Sequence, residues 1–247
     1  MSKKRFLFGA GSLYGIDNSS GTPTPVKFGT LKGVDIEFSG TLKELYGDKK
    51  FAEALGQGKS KITGKAKFSR LDVDLLAALY FDAAAAAGCN LPAQDEAGVI
   101  PATPFTITVA NGATFSKDLG VRFALDGAPL AKVAATPATG QYSVTVATGV
   151  YLFAAADTTK AVLIDYLYTA VTGKTVPLTN QSMGQSPSFQ GIFTGEHDGK
   201  KTVLILNKCV SGKLKLGSKE EDFLEQEFEF EAQSDDADQI GTLSVSD

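Results

Sequence analysis

Near its C-terminus the chain runs EQEFEFEA, placing Glu225, Glu227, Glu229 and Glu231 at every second position with Phe228 and Phe230 between them. A β-strand puts residues i, i+2 and i+4 on one face and the residues between them on the other, whereas a helix would scatter both sets around its axis. The ladder therefore predicts a strand with one acidic and one aromatic face. The same period recurs upstream. In GVDIEFSGTLKEL, Val34, Ile36, Phe38 and Leu42 are expected to face a core, with Asp35, Glu37, Ser39, Thr41 and Lys43 opposite. In KSKITGKAKFSR, Lys59, Lys61, Lys65 and Lys67 share one face, and Ile62, Ala66 and Phe68 the other.

Between those two strands lies ELYGDKKFAEALGQG, which is too long for a simple hairpin turn. It reads as an exposed loop carrying apolar Leu45, Tyr46, Phe51 and Leu55, and loops of that length are uncommon without a role. LDVDLLAALYF follows, with Asp72 or Asp74 able to cap a helix on which Val73, Leu76, Ala77 and Tyr80 recur at helical spacing. The Ala-, Gly- and Pro-rich stretch from Asp82 to Pro104 reads as a linker. Farther on, Asp198-Gly199 reads as a tight turn joining two strands, and a shorter strand is expected with Leu214 and Leu216 inward.

Residues 84–172 differ sharply in composition: 10 of 89 are charged, against 42 of the other 158, and 21 are alanine. Short strands punctuated by Asn111-Gly112, Asp126-Gly127 and Thr148-Gly149 suggest a small β-sandwich inserted into a larger β domain. The fold class expected is therefore mainly β: a two-sheet sandwich or barrel over 1–83 and 174–247 with one α-helix, and an inserted sandwich module with its linkers over 84–173.

Charge divides along the chain. Residues 1–83 carry 13 basic and 9 acidic side chains, 84–172 carry 4 and 6, and 173–247 carry 7 and 13. The two ends are electrostatically complementary, which suits pairing within one fold or between copies. Cys89 and Cys209 have no metal-binding spacing, and no run of about 18 apolar residues exists to span a bilayer. The basic head MSKKR precedes too short an apolar stretch for export, so the chain reads as soluble and intracellular.

Catalytic motifs fail in their contexts. FGAGSLYG mimics a dinucleotide-binding turn at Gly9, Gly11 and Gly15, but Pro23 and Pro25 stand where its helix must form. Gly58-Lys59-Ser60 mimics a phosphate loop, yet Glu53 occupies the position of its first glycine. His197, the sole histidine, sits at a turn. The acidic pairs lack a nucleophile or base beside them, so neither an enzyme, a cofactor nor a metal is expected.

GVDIEFSGTLKELYGDKKFAEALGQGKSKITGKAKF, LILNKCVSGKLKL, KEEDFLEQEFEFEA and the closing DDADQIGTLSVSD together resemble the tail tube (major tail) proteins of tailed bacteriophages, over roughly residues 1–83 and 174–247. The resemblance implies a virion protein, assembled in the host bacterial cytoplasm. Its hexameric rings would stack into a hollow tube through which double-stranded DNA passes without specific binding. It further implies tape-measure, terminator and baseplate or initiator partners. Glu44, Leu45, Tyr46, Asp48, Lys49, Lys50, Phe51 and Leu55 would then form an extended hairpin reaching the next ring. The middle module resembles immunoglobulin-like modules of phage structural proteins and would project outward, which favours a tail without a sheath.

Three uses remain open for the ladder. It forms a solvated outer face; or it pairs with Lys59, Lys61, Lys65 and Lys67 across strands or across a subunit seam; or it lines the lumen, with Asp35 and Glu37 as rivals for that place. An alternative function is a carbohydrate- or receptor-binding β-sandwich using Tyr142, Tyr151, Tyr166 and Tyr168, although core filling explains those tyrosines more simply.

Overall fold

A computed structural model describes residues 9, 11–18, 24–70, 72–184, 186–217, 220, 223 and 225–246. The basic head at 1–8 lies outside them, as does Pro23. The chain divides into two compact units, Met1–Ala85 with Val176–Asp247, and Ala86–Thr175.

The first unit begins with β1 (Ser12–Asp17), β2 (Pro25–Lys27), β3 (Leu31–Tyr46), β4 (Ala52–Phe68) and the helix α1 (Val73–Leu76). The second unit holds β5 (Ala86–Val99), β6 (Thr106–Thr108), β7 (Phe115–Phe123), β8 (Ala131–Lys132), β9 (Gln141–Thr145), β10 (Val150–Phe153) and β11 (Ala161–Thr175). The chain then returns to the first unit as β12 (Ser188–His197), β13 (Lys200–Gly217), β14 (Glu225–Gln233) and β15 (Gly241–Val245). The fold is mainly β, with one short helix and three sheets among the described residues.

The large sheet has the order β2-β1-β12-β13-β14-β4-β3, with every pairing antiparallel. β12 occupies one edge of β13, so β15 (on Thr202–Leu206) and β14 (on Lys208–Gly217) share the other. The outermost strands, β2 and β3, are consecutive in sequence and joined by Phe28–Thr30 alone. Seven flat strands would set them about 29 Å apart, while four backbone steps reach about 14 Å. The sheet must therefore curl.

The concave side is filled by aromatic rings. Phe28 lies 5.4 Å from Phe68 and 5.5 Å from Phe228, and Phe189 lies 5.8 Å from Phe228, measured between ring centroids. Asp72 caps α1 by accepting from the backbone N–H groups of Asp74 and Leu75 at 3.1 and 3.3 Å. The helix is shorter than its apolar periodicity predicts: it passes into a π-helical turn, Ala77–Phe81, and stops at Asp82, which adopts left-handed backbone. Leu75, Leu76 and Leu79 enter the core there, while Val73 and Tyr80 are only partly buried. A Cβ on Gly15 would overlap the terminal methyl of Leu79, so the glycine leaves room for that side chain beside β1.

The second unit contains the sheets β5-β11-β7 and β6-β10-β9-β8, whose residues share one apolar cluster around Tyr151, Phe153, Val162, Ile164 and Tyr166. Part of the segment expected to be a linker is instead the fourteen-residue strand β5, paired to β11 along its length. Tyr142, Tyr151 and Tyr166 are core residues, so core filling, the simpler of the two readings, accounts for them and they present no binding surface; Tyr168 is half-buried. The hydroxyls of Tyr142 and Tyr151 both donate to Asp118 at 2.9 Å, and Lys132 reaches the same carboxylate at 2.8 Å. Burial, together with the Asp118 charge, pushes both tyrosine hydroxyls well above their ordinary pKa.

Candidate functional site

The glutamate ladder lies on the face of the large sheet opposite the core. On β14, Phe228 and Phe230 are buried, whereas Glu227 and Glu229 are half-buried and Glu225 and Glu231 exposed. Register sets Lys67 and Lys65 of β4 opposite Glu227 and Glu229 on one side, and Lys215 and Lys213 of β13 opposite them on the other. On β3, Asp35 lies opposite Lys65. The four neighbouring strands thus present acidic, basic, acidic and basic rows.

Three of the four ladder carboxylates close ion pairs within the chain. Lys65 Nζ lies 2.6 Å from Glu227 and 3.2 Å from Glu229; Lys213 Nζ lies 2.9 Å from Glu229 and 3.4 Å from Glu227; Lys61 Nζ lies 2.7 Å from Glu231. Hydrogen bonding from Lys65 holds the Glu227 carboxyl down to about 2, and the two glutamates in turn raise Lys65 and Lys213 above the ordinary lysine range. Like charges two residues apart on a strand lie about 7 Å from one another, within the ~8 Å screening length of physiological salt. Interleaved lysines remove that repulsion. Among the described residues, Lys59, Lys67, Asp35, Glu37 and Glu225 close no ion pair. A trough of ≈560 Å³ crosses this face, lined by Asp35, Glu37, Lys61, Lys65, Lys213 and Glu229 among others. Its carboxylates face ammonium groups, with no thiol, hydroxyl nucleophile or imidazole on its wall apart from Thr63.

The second feature is the far part of the β3–β4 hairpin. β14 pairs with β4 only from Phe68 to Ile62; beyond that point β3 and β4 pair only with each other, as far as Tyr46 opposite Ala52. Residues 44–58, expected to be a loop, are therefore mostly strand, with Gly47–Phe51 as the turn. From Lys61 to Ala52 the ribbon runs for about 30 Å. Phe38 and Leu42 continue the parity of Val34 and Ile36, but among the described residues no third strand or helix covers them. Phe38, Leu42, Leu45, Tyr46, Phe51 and Leu55 are each more than half exposed, Phe51 at 86%. Glu44, Asp48, Lys49 and Lys50 are exposed around them, and the Tyr46 hydroxyl donates to Glu44, which raises the pKa of that hydroxyl.

Lys213 is the ladder residue that the sequence reading overlooked. It lies in a Lys-Leu-Lys-Leu run whose period would have disclosed it. Leu216 has the inward parity expected of it, opposite Gln226, yet is 57% exposed at the end of the sheet. His197 occupies the last position of β12, paired to Lys200 across the Asp198-Gly199 turn, whose two residues both have positive φ. Among the described residues no group of three His, Cys, Asp or Glu side chains is placed to hold a metal ion, and no helix is long and apolar enough to cross a membrane. No protein-family model matches the chain, and a search of curated proteins gave no match.

Proposed function

We propose that this chain is a structural, self-assembling subunit of the phage tail tube kind, in which six copies close a ring and rings stack into a conduit for double-stranded DNA. The observation that carries the reading is the ribbon: six large apolar side chains held in water on a two-stranded hairpin, which on its own is marginally stable. A second copy gives that surface a partner. Unpaired strand edges supply the ring contact, because head-to-tail copies related by a closing rotation leave no edge free.

In this reading the curled sheet is the two-layered tube domain, and the second unit is an immunoglobulin-like module on the outside of a flexible, sheathless tail. The ladder face suits a bore wall. A duplex carries one negative charge per about 1.7 Å of axis, and a lining of free lysines would hold it by counterion release. Lys61, Lys65 and Lys213, already engaged by glutamates, do not. Tape-measure, terminator and initiator proteins would meet the ends of such a tube.

Electron microscopy of the purified full chain, concentrated stepwise, tests the proposal. Stacked rings of uniform width are expected. A chain that stays monomeric in light scattering at every concentration, with no particles on the grid, overturns it.

A further inference from the structure

We infer that Asp198-Gly199, the turn between β12 and β13, is a site of spontaneous covalent modification at which the folded chain converts aspartate to isoaspartate. Glycine follows Asp or Asn at three places, Asn111-Gly112, Asp126-Gly127 and Asp198-Gly199. At such a pair the glycine nitrogen can attack Cγ of the preceding side chain, an intramolecular step that closes a five-membered imide, and glycine has no Cβ to hinder it. At an aspartate the N–Cγ bond forms as a C–O bond of the carboxyl group breaks, and the carboxyl OH leaves with the amide proton as water. Water then breaks the bond between that nitrogen and the main-chain carbonyl carbon of the aspartate, which leaves the glycine joined through Cγ. One water leaves and one enters, so the mass is unchanged.

The fold separates the three pairs. The Gly112 N–H donates to the Val109 carbonyl at 3.0 Å, and the Asn111 side-chain amide donates to the Tyr166 hydroxyl at 3.2 Å. The Gly127 N–H donates to the Phe123 carbonyl at 3.0 Å, and the Asp126 carboxylate accepts from the Ala128 N–H at 3.0 Å. In both pairs the attacking nitrogen and the side chain it must reach are each held by a hydrogen bond. Asp198 and Gly199 are both exposed, and among the described residues neither the Gly199 N–H nor the Asp198 carboxylate has a partner. Asp198 also holds left-handed backbone, φ 56°, which costs a residue with a Cβ more than it costs glycine. Routing the chain through Cγ lengthens the turn by one carbon. The loop then no longer fits the two-residue geometry that sets His197 opposite Lys200.

Ageing the full, folded chain tests the assignment. The protein is kept warm at near-neutral pH, digested with trypsin, and labelled by a protein isoaspartyl methyltransferase with radioactive S-adenosylmethionine. Cleavage after lysine and arginine puts the three pairs on separate peptides, 71–117, 123–132 and 175–200. Peptide 175–200 should carry several times the label of either of the others. In chain aged in concentrated urea the order should change to put 71–117 first, because ammonia leaves an asparagine amide more readily than water leaves a carboxyl group and the bonds restraining Asn111 and Gly112 are gone. Asp198→Glu, whose imide would be six-membered and far slower to close, should remove the label from 175–200 and so separates Asp198 from Asn180 on the same peptide. Equal label on 123–132 and 175–200 from the folded chain, no label on 175–200, or label there that survives Asp198→Glu overturns the assignment.

Discussion

The two halves of β3 carry one alternation and meet two fates. Val34 and Ile36, near its start, are half-buried against the aromatic core, whereas Phe38 and Leu42, on the same face a few residues on, stand in water. The difference is the neighbour. β4 meets β14 only up to Ile62, which is in register with Phe38, the last position before β14 is lost, and past that point, where Leu42 lies, the hairpin has no third strand and no helix to close over it among the described residues. Period-two patterning says which residues share a face; it does not say whether the face is covered within one copy.

The largest effect that sharpens this comparison is a matched pair of truncations. Phe228 is fully buried between Phe28, Phe189 and Phe230, so Phe228→Ala should cost about 3–5 kcal/mol of unfolding free energy. Leu42→Ala on the ribbon should change monomer stability by no more than about 0.5 kcal/mol. Urea denaturation followed by circular dichroism reads both. A Leu42→Ala loss of the core size would mean that the ribbon packs against something in the isolated copy, and the contrast between the two halves would fail.

An intermediate effect is expected on β14 itself. Gln226 lies on the core side of that strand, wholly buried, and among the described residues neither its amide nitrogen nor its amide oxygen has a hydrogen-bond partner. A buried amide left without partners is destabilising, and an apolar side chain of similar size removes the penalty. Gln226→Leu should raise stability by about 1–3 kcal/mol. A lower melting temperature would show that the amide finds a partner in solution, and so that this end of the core is less closed than the buried Phe68 and Phe228 beside it.

How much of this was legible in the sequence follows the same division. The ladder, its phenylalanines and the lysines of β4 could be read because strand parity is local. The Asp198-Gly199 turn could be read because both residues need positive φ, which Asp and Gly tolerate. β5 could not, because Ala-Ala-Gly-Cys-Asn-Leu-Pro has little strand propensity of its own. Its pairing comes from β11, whose Val162-Leu163-Ile164-Asp165-Tyr166 run is strongly strand-forming, and such an override is not visible from either segment alone. The choice of ion pairs was likewise hidden. Lys65, in register with Glu229, also reaches diagonally to Glu227, whereas Lys67, in register with Glu227, closes no ion pair among the described residues, and Lys213 joins Lys65 from the opposite side.

The smallest effect separates paired from unpaired carboxylates on that one strand. The folded pKa of Glu227, about 2, lies below its ordinary 4.5, so the folded state favours the ionised form. Its contribution to stability is therefore complete above pH 4.5 and is lost as the pH falls towards 2. At the other end, the raised Lys65 and Lys213 contribute fully below 10.5, and that contribution disappears as the pH climbs through their folded values. Urea midpoints measured across the acid range should fall less steeply between pH 4.5 and 2 for Glu227→Gln than for the parent chain. Glu225→Gln, which removes a carboxylate with no ion pair among the described residues, should follow the parent curve. If both variants flatten the acid limb equally, the lysine rows act as a diffuse field rather than through the Lys65 and Lys213 contacts, and strand register loses its part in setting the charge pattern.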